Sequence, residues 1–390
     1  MTDRNVLLVS NYNAVPKPWN GQSFECFDVI SRIETARIIA PAARFPDLAP
    51  GASVREVLRY AGHELGSRAR RVAGGRRPGV MREAELDTDY DLCLFMCQFP
   101  RDLPEIDQVR HWRARSRKAV AFVLESWSAA LGKQRAALRG LDAFDHVFVL
   151  NAASIPALQR HTSTPISFLP TATDCLVARP GPERPVDFLS LGRRLPRLHQ
   201  EFRAIAAEEG RFYIYDLWGN LVVRDWAEAR AGNADVIRRS RYFVAWDPTM
   251  ITAARTTGSK DALSAGERSL SLRYFEGAAG GAILLGSRLD CPEFDELFDW
   301  PDAVVEIAPD GSDVRQVLAE LEADPERIAA ARTANMVNSL RRHDWADRWA
   351  RILDTLDLPR TEAHDARLRQ LEHVAGQIER EPGTFKMLAE

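Results

Sequence analysis

Two arginines follow a short apolar run of this sequence. The segment "FLSLGRRLPR" starts at residue 188 and places Gly192, Arg193 and Arg194 directly after a predicted strand. The forked donors of arginine suit the oxygens of a phosphate group. A phosphate-binding turn and a solvated basic turn are both compatible with this pattern.

A second basic stretch follows further along the chain. Gly258 and several serines surround Lys260, and the stretch leads into a helix that we predict to begin between Ser264 and Ser271. A helix N-terminus stabilises a phosphate group, and Arg268 would add positive charge there. The alternative is a surface loop with a serine that caps the helix.

The same helix carries one glutamate and ends in very small residues. In "SLRYFEGAAGGAILLGS" (271–287), Glu276 precedes a run that includes Gly280, and an apolar run follows. One interpretation is a helix, a glycine stop and a buried strand. The other is that the small residues let a ligand approach the backbone closely.

Short apolar runs recur along the whole chain and predict the strands that position these residues. They cover residues 5–10, 36–41, 91–97, 119–125, 146–151 and 166–170, and then 186–192, 211–219, 241–248, 281–287 and 303–309. Continuous apolar strands are typical of parallel sheets covered by helices on both faces. The sequence therefore predicts an α/β protein with two Rossmann-like doubly wound domains.

A proline-rich stretch, "PTATDCLVARPGPERP" (170–185), separates the two series of runs. It predicts an N-terminal domain over 1–172, a linker over 173–185 and a C-terminal domain over 186–344. Apolar residues spaced at three, four and seven positions predict further helices over 345–390. Two such domains would face a central cleft, and open α/β sheets bind ligands at the carboxyl ends of their strands.

Polar residues also follow two predicted strands of the first domain. Ser10, Asn11 and Asn13 come after the first strand, as candidate ligand contacts, and Glu125 ends another. Glu125 could orient or deprotonate a hydroxyl group. The alternative is an edge carboxylate that pairs with a nearby arginine.

Composition excludes several classes of protein. The net charge of −3 argues against a nucleic-acid binder, and the longest apolar runs are too short to cross a bilayer. Five cysteines without a Cys-x-x-Cys pair argue against a disulfide framework or structural zinc. The Asp-x-Asp of "DTDYD" (87–91) precedes a strand, and the histidines do not cluster, so we expect no metal and no cofactor.

The chain opens directly on an apolar run, "MTDRNVLLVS", which favours a cytoplasmic location. Two basic segments, 66–79 and 110–118, could contact an anionic membrane peripherally at its inner face. A mobile loop and a solvated helix face are the alternative interpretation of these segments.

Several segments together resemble a known family. "ERSLSLRYFEGAAGGAILLGS" (267–287) is similar to the donor-site helix and strand of GT-B glycosyltransferases of the large family-4-like group. "FLSLGRR" resembles the glycine-arginine turn of those proteins, and "FLPTATD" the segment that leads into their second domain. Residues from "WPDAVVEIAPDG" through "HDWADRW" are similar to bacterial glycosyltransferase-like proteins of surface polysaccharide synthesis. The resemblance covers roughly residues 186–355.

The resemblance implies particular roles for the candidate residues. Glu276 would bind the ribose of a nucleotide-sugar donor, and Gly192, Arg193, Gly258, Lys260, Arg268 and Gly280 would complete the donor site. The family places a second glutamate eight positions before the first. Arg268 stands at that position here, and the nearest acid, Glu267, lies nine positions away, one helical step of about 100° further round.

The predicted function is therefore metal-independent transfer of a sugar from a nucleotide-sugar to a glycan, lipid-linked or small-molecule acceptor, with retention of configuration favoured. Glu267 and Glu125 are the candidate catalytic carboxylates. The alternatives are a sugar-nucleotide epimerase on the same fold and an inactive nucleotide-sugar-binding or scaffold protein.

Overall fold

A computed structural model describes residues 4–44, 79–177, 183–215, 222–246 and 267–381, together with Gly62, Leu65 and Gly66. The chain divides into two compact units, unit 1 (Met1–Leu169) and unit 2 (Pro170–Glu390). Within the described residues, each unit contains one main parallel sheet whose central strands are buried and apolar, as the runs of the sequence predict.

The sheet of unit 1 has six parallel strands in the order β2-β1-β4-β6-β7-β8. Their bounds are β1 Asn5–Ser10, β2 Thr35–Ile39, β4 Tyr90–Cys97, β6 Ser116–Val123, β7 His146–Val149 and β8 Ile166–Phe168. A separate parallel pair joins β3 (Ala84–Glu85) to β5 (Val109–Arg110), and the apolar runs do not predict this pair. Because β1 lies between β2 and β4, the loops after β1 and β4 meet at the carboxyl edge of the sheet.

Helices and 3-10 turns connect these strands. Within the described residues, the α-helices of unit 1 with both ends defined are α1 Gly21–Ile33, α2 Ser128–Leu131, α3 Arg135–Leu138 and α4 Ile155–Gln159. The 3-10 segments are Pro18–Asn20, Pro100–Gln108, Gly132–Gln134, Arg139–Ala143 and Ala152–Ser154. The first two of these segments follow β1 and β4 and so flank the same edge of the sheet.

The sheet of unit 2 has five parallel strands in the order β10-β9-β11-β12-β13. Their bounds are β9 Val186–Ser190, β10 Tyr213–Tyr215, β11 Ser240–Ala245, β12 Ile283–Gly286 and β13 Val305–Glu306. The helices are α5 Pro196–Glu209, α6 Trp226–Arg238, α7 Leu272–Ala279, α8 Pro292–Leu297, α9 Val314–Glu322, α10 Pro325–Arg342, α11 Trp345–Thr355 and α12 Glu362–Arg380. β9 lies between β10 and β11, so the strand order reverses beside β9, where ligands bind in open α/β sheets.

The small residues of α7 are explained by packing. A Cβ atom on Gly277 would lie 2.4 Å from side-chain atoms of Phe243 in β11 and Leu284 in β12. A Cβ atom on Gly280 would lie 2.6 Å from Ile237 of α6. These contacts favour the first interpretation of this segment, in which α7 must approach its own sheet closely.

The start of the proline-rich stretch is part of unit 2. Thr173 pairs with Asp344 in an isolated parallel bridge, and Cys175 is buried among residues of α10 and α12. The guanidinium of Arg367 in α12 donates at 2.8 Å to carboxylates of both Asp174 and Asp344. Residues 173–177 of the predicted linker are therefore anchored by a buried ion cluster.

Candidate functional site

The glycine-arginine turn lies at the carboxyl end of β9. Gly192 has a φ of 79°, a left-handed conformation that glycine adopts without strain. The turn brings Arg193 and Arg194 beside the start of α5, which has no side-chain cap. Two guanidinium groups and a helix N-terminus thus meet at the point where the strand order reverses.

A small pocket opens at this turn. It is lined by Ser190, Arg193, Arg194, Leu195, Leu198, His199, Phe202, Tyr213, Val244, Trp246 and Arg273. Among the described residues its volume is about 10 Å³, which is room for about one water molecule. Three of the lining side chains are arginines, so the pocket favours an anionic ligand.

Arg273 and Trp246 add further hydrogen-bond donors to this pocket. The Nε group of Arg273 donates at 2.6 Å to the carbonyl of Leu191, which ties α7 to the glycine-arginine turn. The indole N–H of Trp246 is buried and has no hydrogen-bond partner within the described part of the chain. A buried N–H group without a partner costs about 1–3 kcal/mol, so an acceptor placed there would be bound favourably.

His199 of α5 faces the same pocket. Burial lowers the pKa of its imidazole below 6.5, and the positive charges of Arg194 and Arg203 lower it further. Its Nδ1 atom lies 2.9 Å from the hydroxyl of Tyr213. The ring is therefore mostly neutral at pH 7, and a bound anion would favour its protonation.

Glu276 occupies a different environment from this pocket. It is 8% exposed, does not line the pocket, and its Oε1 atom accepts a hydrogen bond of 2.5 Å from Arg230 of α6. The side chains of both partners are about one tenth exposed. The carboxylate predicted to bind ribose is therefore held in a mostly buried ion pair.

Apart from Gly280, which follows α7, the remaining donor-side candidates precede this helix, which begins at Leu272. Glu267 and Arg268 precede the helix, and Arg268 donates at 3.4 Å to the carbonyl of Glu267. Neither lines the pocket. Gly258 and Lys260 lie outside the described residues, so their assigned roles stay predictions.

In unit 1, the residues after β1 have different surroundings. Ser10 and Asn11 are 1% and 3% exposed, and neither Ser10 Oγ nor Asn11 Oδ1 has a hydrogen-bond partner within the described residues. Asn13 is exposed and donates at 2.7 Å to the carbonyl of Ala40. Asn13 therefore supports the loop, whereas Asn11 faces an open cavity.

This cavity of unit 1 lies at the carboxyl edge of its sheet, between the loops after β1 and β4. It has a volume of about 190 Å³ and is lined by Asn11, Val15, Trp19, Asn20, Val80, Gln98, Phe99, Arg101, Asp102, Pro104 and Glu105. That space exceeds the roughly 10–15 Å³ that one water needs. The cavity can admit a small molecule.

Glu125 lies two residues after β6, close to this cavity. Its Oε2 atom accepts from Gln98 Nε2 at 3.2 Å, and its Oε1 atom accepts from Trp127 Nε1 at 3.0 Å. The carboxylate of Glu125 thus accepts hydrogen bonds from an amide and an indole. The sequence alternative, a pair with a nearby arginine, is not what the structure shows. Glu125 positions Gln98 in the wall of the cavity.

Sequence reasoning missed Arg230, Arg273, Trp246 and Gln98. Gln98 directly follows a predicted strand, and Trp246 lies near the end of the predicted run 241–248, so their position at the carboxyl edge was a usable signal. Arg230 and Arg273 lie inside helices, where their spacing does not distinguish them from solvated arginines. Their partners come from other elements and depend on packing.

Two further findings concern metals and membranes. Within the described ranges, no group of three or more His, Cys, Asp or Glu side chains could hold a metal ion. None of the described helices combines the length and the apolar character that a bilayer span requires.

Part of this chain is similar to a known protein family. Residues 190–354 match the family model described as "Glycosyl transferase-like". No curated protein matches the sequence. The segment that matches contains the glycine-arginine turn, the basic pocket and α7.

Solved structures of similar fold cover nearly the whole chain. An alpha-glucosyltransferase (AGT) in complex with UDP matches with a TM-score of 0.53 at 9% identity, covering 91% of this chain and 100% of that one. An alpha,alpha-trehalose-phosphate synthase (UDP-forming) from Burkholderia vietnamiensis matches with a TM-score of 0.51 at 12% identity, covering 90% and 99%. The S. aureus TarM structure matches with a TM-score of 0.45 at 10% identity, and this chain spans only 55% of its length. Residues 190–354 are thus similar to a glycosyl transferase-like family, and the chain has the GT-B fold, as its sequence predicts.

Proposed function

We propose that this protein transfers a sugar from a nucleotide-sugar to an acceptor, and that unit 2 binds the donor. The observation that carries this proposal is the basic pocket at the carboxyl end of β9, inside the segment that matches the glycosyl transferase-like family. A UDP-sugar is the first donor to test, since AGT, which is similar in fold, was solved with UDP.

The chemistry of such a reaction depends on the leaving group. As the glycosidic bond to the donor breaks, negative charge develops on the nucleoside diphosphate. Arg193, Arg194 and the N-terminus of α5 would stabilise this charge, with the indole N–H of Trp246 as a further donor. Because these groups are already fixed in place, little reorganisation is needed during the reaction.

The finer assignments follow from the resemblance and from these cations. We propose that transfer needs no metal, because protein cations would neutralise the diphosphate, and that the sugar keeps its anomeric configuration. Glu276 would reach the ribose only by sharing its carboxylate with Arg230. Arg268, Glu267, Gly258, Gly280 and Lys260 stay candidate donor-site residues.

The acceptor side of the proposal rests on unit 1. The acceptor would be a glycan, a lipid-linked glycan or a small molecule, in bacterial polysaccharide or glycoconjugate synthesis. We propose a cytoplasmic protein that contacts the inner face of the membrane peripherally if its acceptor is lipid-linked.

Donor hydrolysis and binding test this proposal. Purified protein is incubated with UDP-, GDP-, ADP-, CMP- and dTDP-sugars, with and without EDTA, and released nucleotide, epimer formation and thermal stabilisation are measured. Nucleotide release that persists in EDTA is the expected result. Epimer formation would favour the epimerase alternative, and stabilisation without turnover the scaffold alternative. If no nucleotide changes the melting temperature at millimolar concentration, the donor-site proposal is wrong.

A further inference from the structure

The cavity of unit 1 presents buried hydrogen-bond acceptors that have no partner. Asn11 and Gln98 are 3% and 7% exposed, both line the cavity, and Asn11 Oδ1 and Gln98 Oε1 lack partners within the described residues. Each buried oxygen left in this way costs about 1–3 kcal/mol. A ligand that offers hydrogen-bond donors to both oxygens would remove this cost.

Glu125 fixes which end of the Gln98 amide faces the cavity. The nitrogen of Gln98 donates to the Glu125 carboxylate, and an ionised carboxylate can only accept. The amide therefore cannot exchange its nitrogen and oxygen without losing this bond. Glu125 is thus a positioning residue that holds Gln98 Oε1 available as an acceptor.

The charges around the cavity disfavour an anionic ligand. Arg101 is the single cation among the lining residues, and its Nε atom lies 3.8 Å from the carboxylate of Asp102. Its guanidinium also stands 4.1 Å above the ring of Phe99. With Glu105, whose carboxylate accepts from the backbone N–H groups of residues 80 and 81, the lining carries a net charge of −1, from one arginine and two carboxylates.

An aromatic wall completes the cavity. Trp19 lines the cavity and is 38% exposed. The 3-10 segment that contains it, Pro18–Asn20, is tied to the preceding loop by a hydrogen bond from Asn20 Nδ2 to the Val15 carbonyl. An exposed indole beside hydrogen-bond acceptors suits a ring with one apolar face and hydroxyl groups at its edge. Uncharged sugars have this combination of features.

We infer that the cavity of unit 1 binds an uncharged pyranose, whose hydroxyl groups donate to Asn11 Oδ1 and Gln98 Oε1 while its apolar face packs on Trp19. This inference rests on the proposed function, since the bound sugar would be the acceptor residue. According to this inference, the part of the sugar acceptor that occupies the cavity is a neutral sugar and not a phosphate group.

Ligand-observed NMR titration of the full-length protein without nucleotide tests the inference. The probes are neutral methyl hexopyranosides, with inorganic phosphate as a competitor. We expect at least one glycoside to bind, and Asn11→Ala, Gln98→Ala and Trp19→Ala each to weaken its binding by about tenfold. Gln159→Ala is the matched control, because Gln159 is an exposed amide of unit 1 outside the cavity.

The positioning role of Glu125 has its own variant. Glu125→Gln keeps the shape of the side chain but lets the Gln98 amide reverse, so sugar binding should weaken while the melting temperature stays unchanged. Trp19→Ala, at a partly exposed position, keeps the test valid if Asn11→Ala does not fold.

Three outcomes would overturn the inference: no glycoside binds, phosphate displaces the glycoside, or Gln159→Ala weakens binding as much as Gln98→Ala. If nucleotide-sugar turnover occurs without any of the expected changes, only this inference fails. If the sugar binds as expected but no nucleotide binds, the proposed function fails instead.

Discussion

The pocket beside β9 and the cavity beside β1 offer opposite kinds of hydrogen-bonding groups. In unit 2, the pocket beside β9 presents N–H donors and positive charge, from three arginines and the indole of Trp246. In unit 1, the cavity beside β1 presents amide oxygens, a net negative lining and the ring of Trp19. Both stand at the carboxyl edge of a parallel sheet where the strand order reverses, so the same topology carries opposite chemistry.

The contrast between the two pockets separates the position of a pocket from the groups that line it. The strand order determines where a pocket forms, because the loops on either side of a reversal point run in opposite directions. The residues just after each strand determine which groups the pocket presents: glycine and arginines after β9, and asparagine and glutamine after β1 and β4.

The largest expected effect concerns the buried pair beneath α7. Glu276→Ala should lower the free energy of unfolding by about 3–5 kcal/mol, because it removes the carboxylate of a mostly buried ion pair with Arg230. Urea unfolding of the variant measures this loss. The double variant Glu276→Ala/Arg230→Met should recover part of it, and glycoside binding to unit 1 should not change.

Stability and UDP-glucose affinity of Glu276→Ala together distinguish a structural role of Glu276 from a role in ligand binding. If stability is kept and UDP-glucose affinity falls, Glu276 serves the ligand and the pair with Arg230 is a resting arrangement. If neither quantity changes, Glu276 has no role in the donor site.

The second prediction concerns the cations of unit 2. Arg193→Ala/Arg194→Ala should weaken UDP-glucose binding by at least about 100-fold, since hydrogen bonds to charged groups contribute about 1.5–3 kcal/mol each. Isothermal titration calorimetry measures the affinity. Arg203→Ala is the matched control, an exposed arginine of α5 that does not line the pocket. Unchanged affinity in the double variant would contradict the assignment of the donor site.

The third prediction separates packing from ligand binding in α7. Gly277→Ala should destabilise the protein by about 1–3 kcal/mol, because the new methyl group would overlap Phe243 and Leu284. Gly232→Ala in α6, where nothing lies within 4 Å, should be neutral or stabilising by about 0.4–1 kcal/mol. Thermal unfolding compares the two variants. A stable Gly277→Ala protein that no longer binds nucleotide would show that the small residues serve a ligand.

The smallest expected effect is a pH dependence confined to unit 2. The folded-state pKa of His199 lies below its ordinary 6.5, so the ring gains charge only as the pH falls below that value. A bound diphosphate favours the charged form, and UDP-glucose affinity should therefore rise by less than about tenfold between pH 7 and pH 5.5. His199→Gln should remove this rise. A similar rise in glycoside affinity at the cavity of unit 1 would break the comparison, because that cavity has no histidine among its lining residues.

Local sequence patterns determined most of the architecture. Apolar runs such as "NVLLVS" and "DLCLFMC" predict strands that are buried on both faces, and β1 and β4 occupy those positions. The glycine-arginine turn was also readable, since a strand followed by glycine and two arginines is a local signal. These predictions succeed because backbone periodicity and turn chemistry depend on neighbouring residues.

Tertiary structure alone decided the partners of the chemical groups. Nothing in the sequence pairs Glu276 with Arg230, 46 residues away, or Gln98 with Glu125, 27 residues away. The same holds for Asp174, which looked like part of a linker and is held by Arg367, 193 residues further along. Each of these contacts depends on how helices and strands pack. A charged or amide side chain pairs with the polar group that this packing places within hydrogen-bond distance. Local residue patterns dictate which elements form and at which sheet edges the pockets open, whereas the packing of those elements decides which polar atoms of the described residues are paired and which are not.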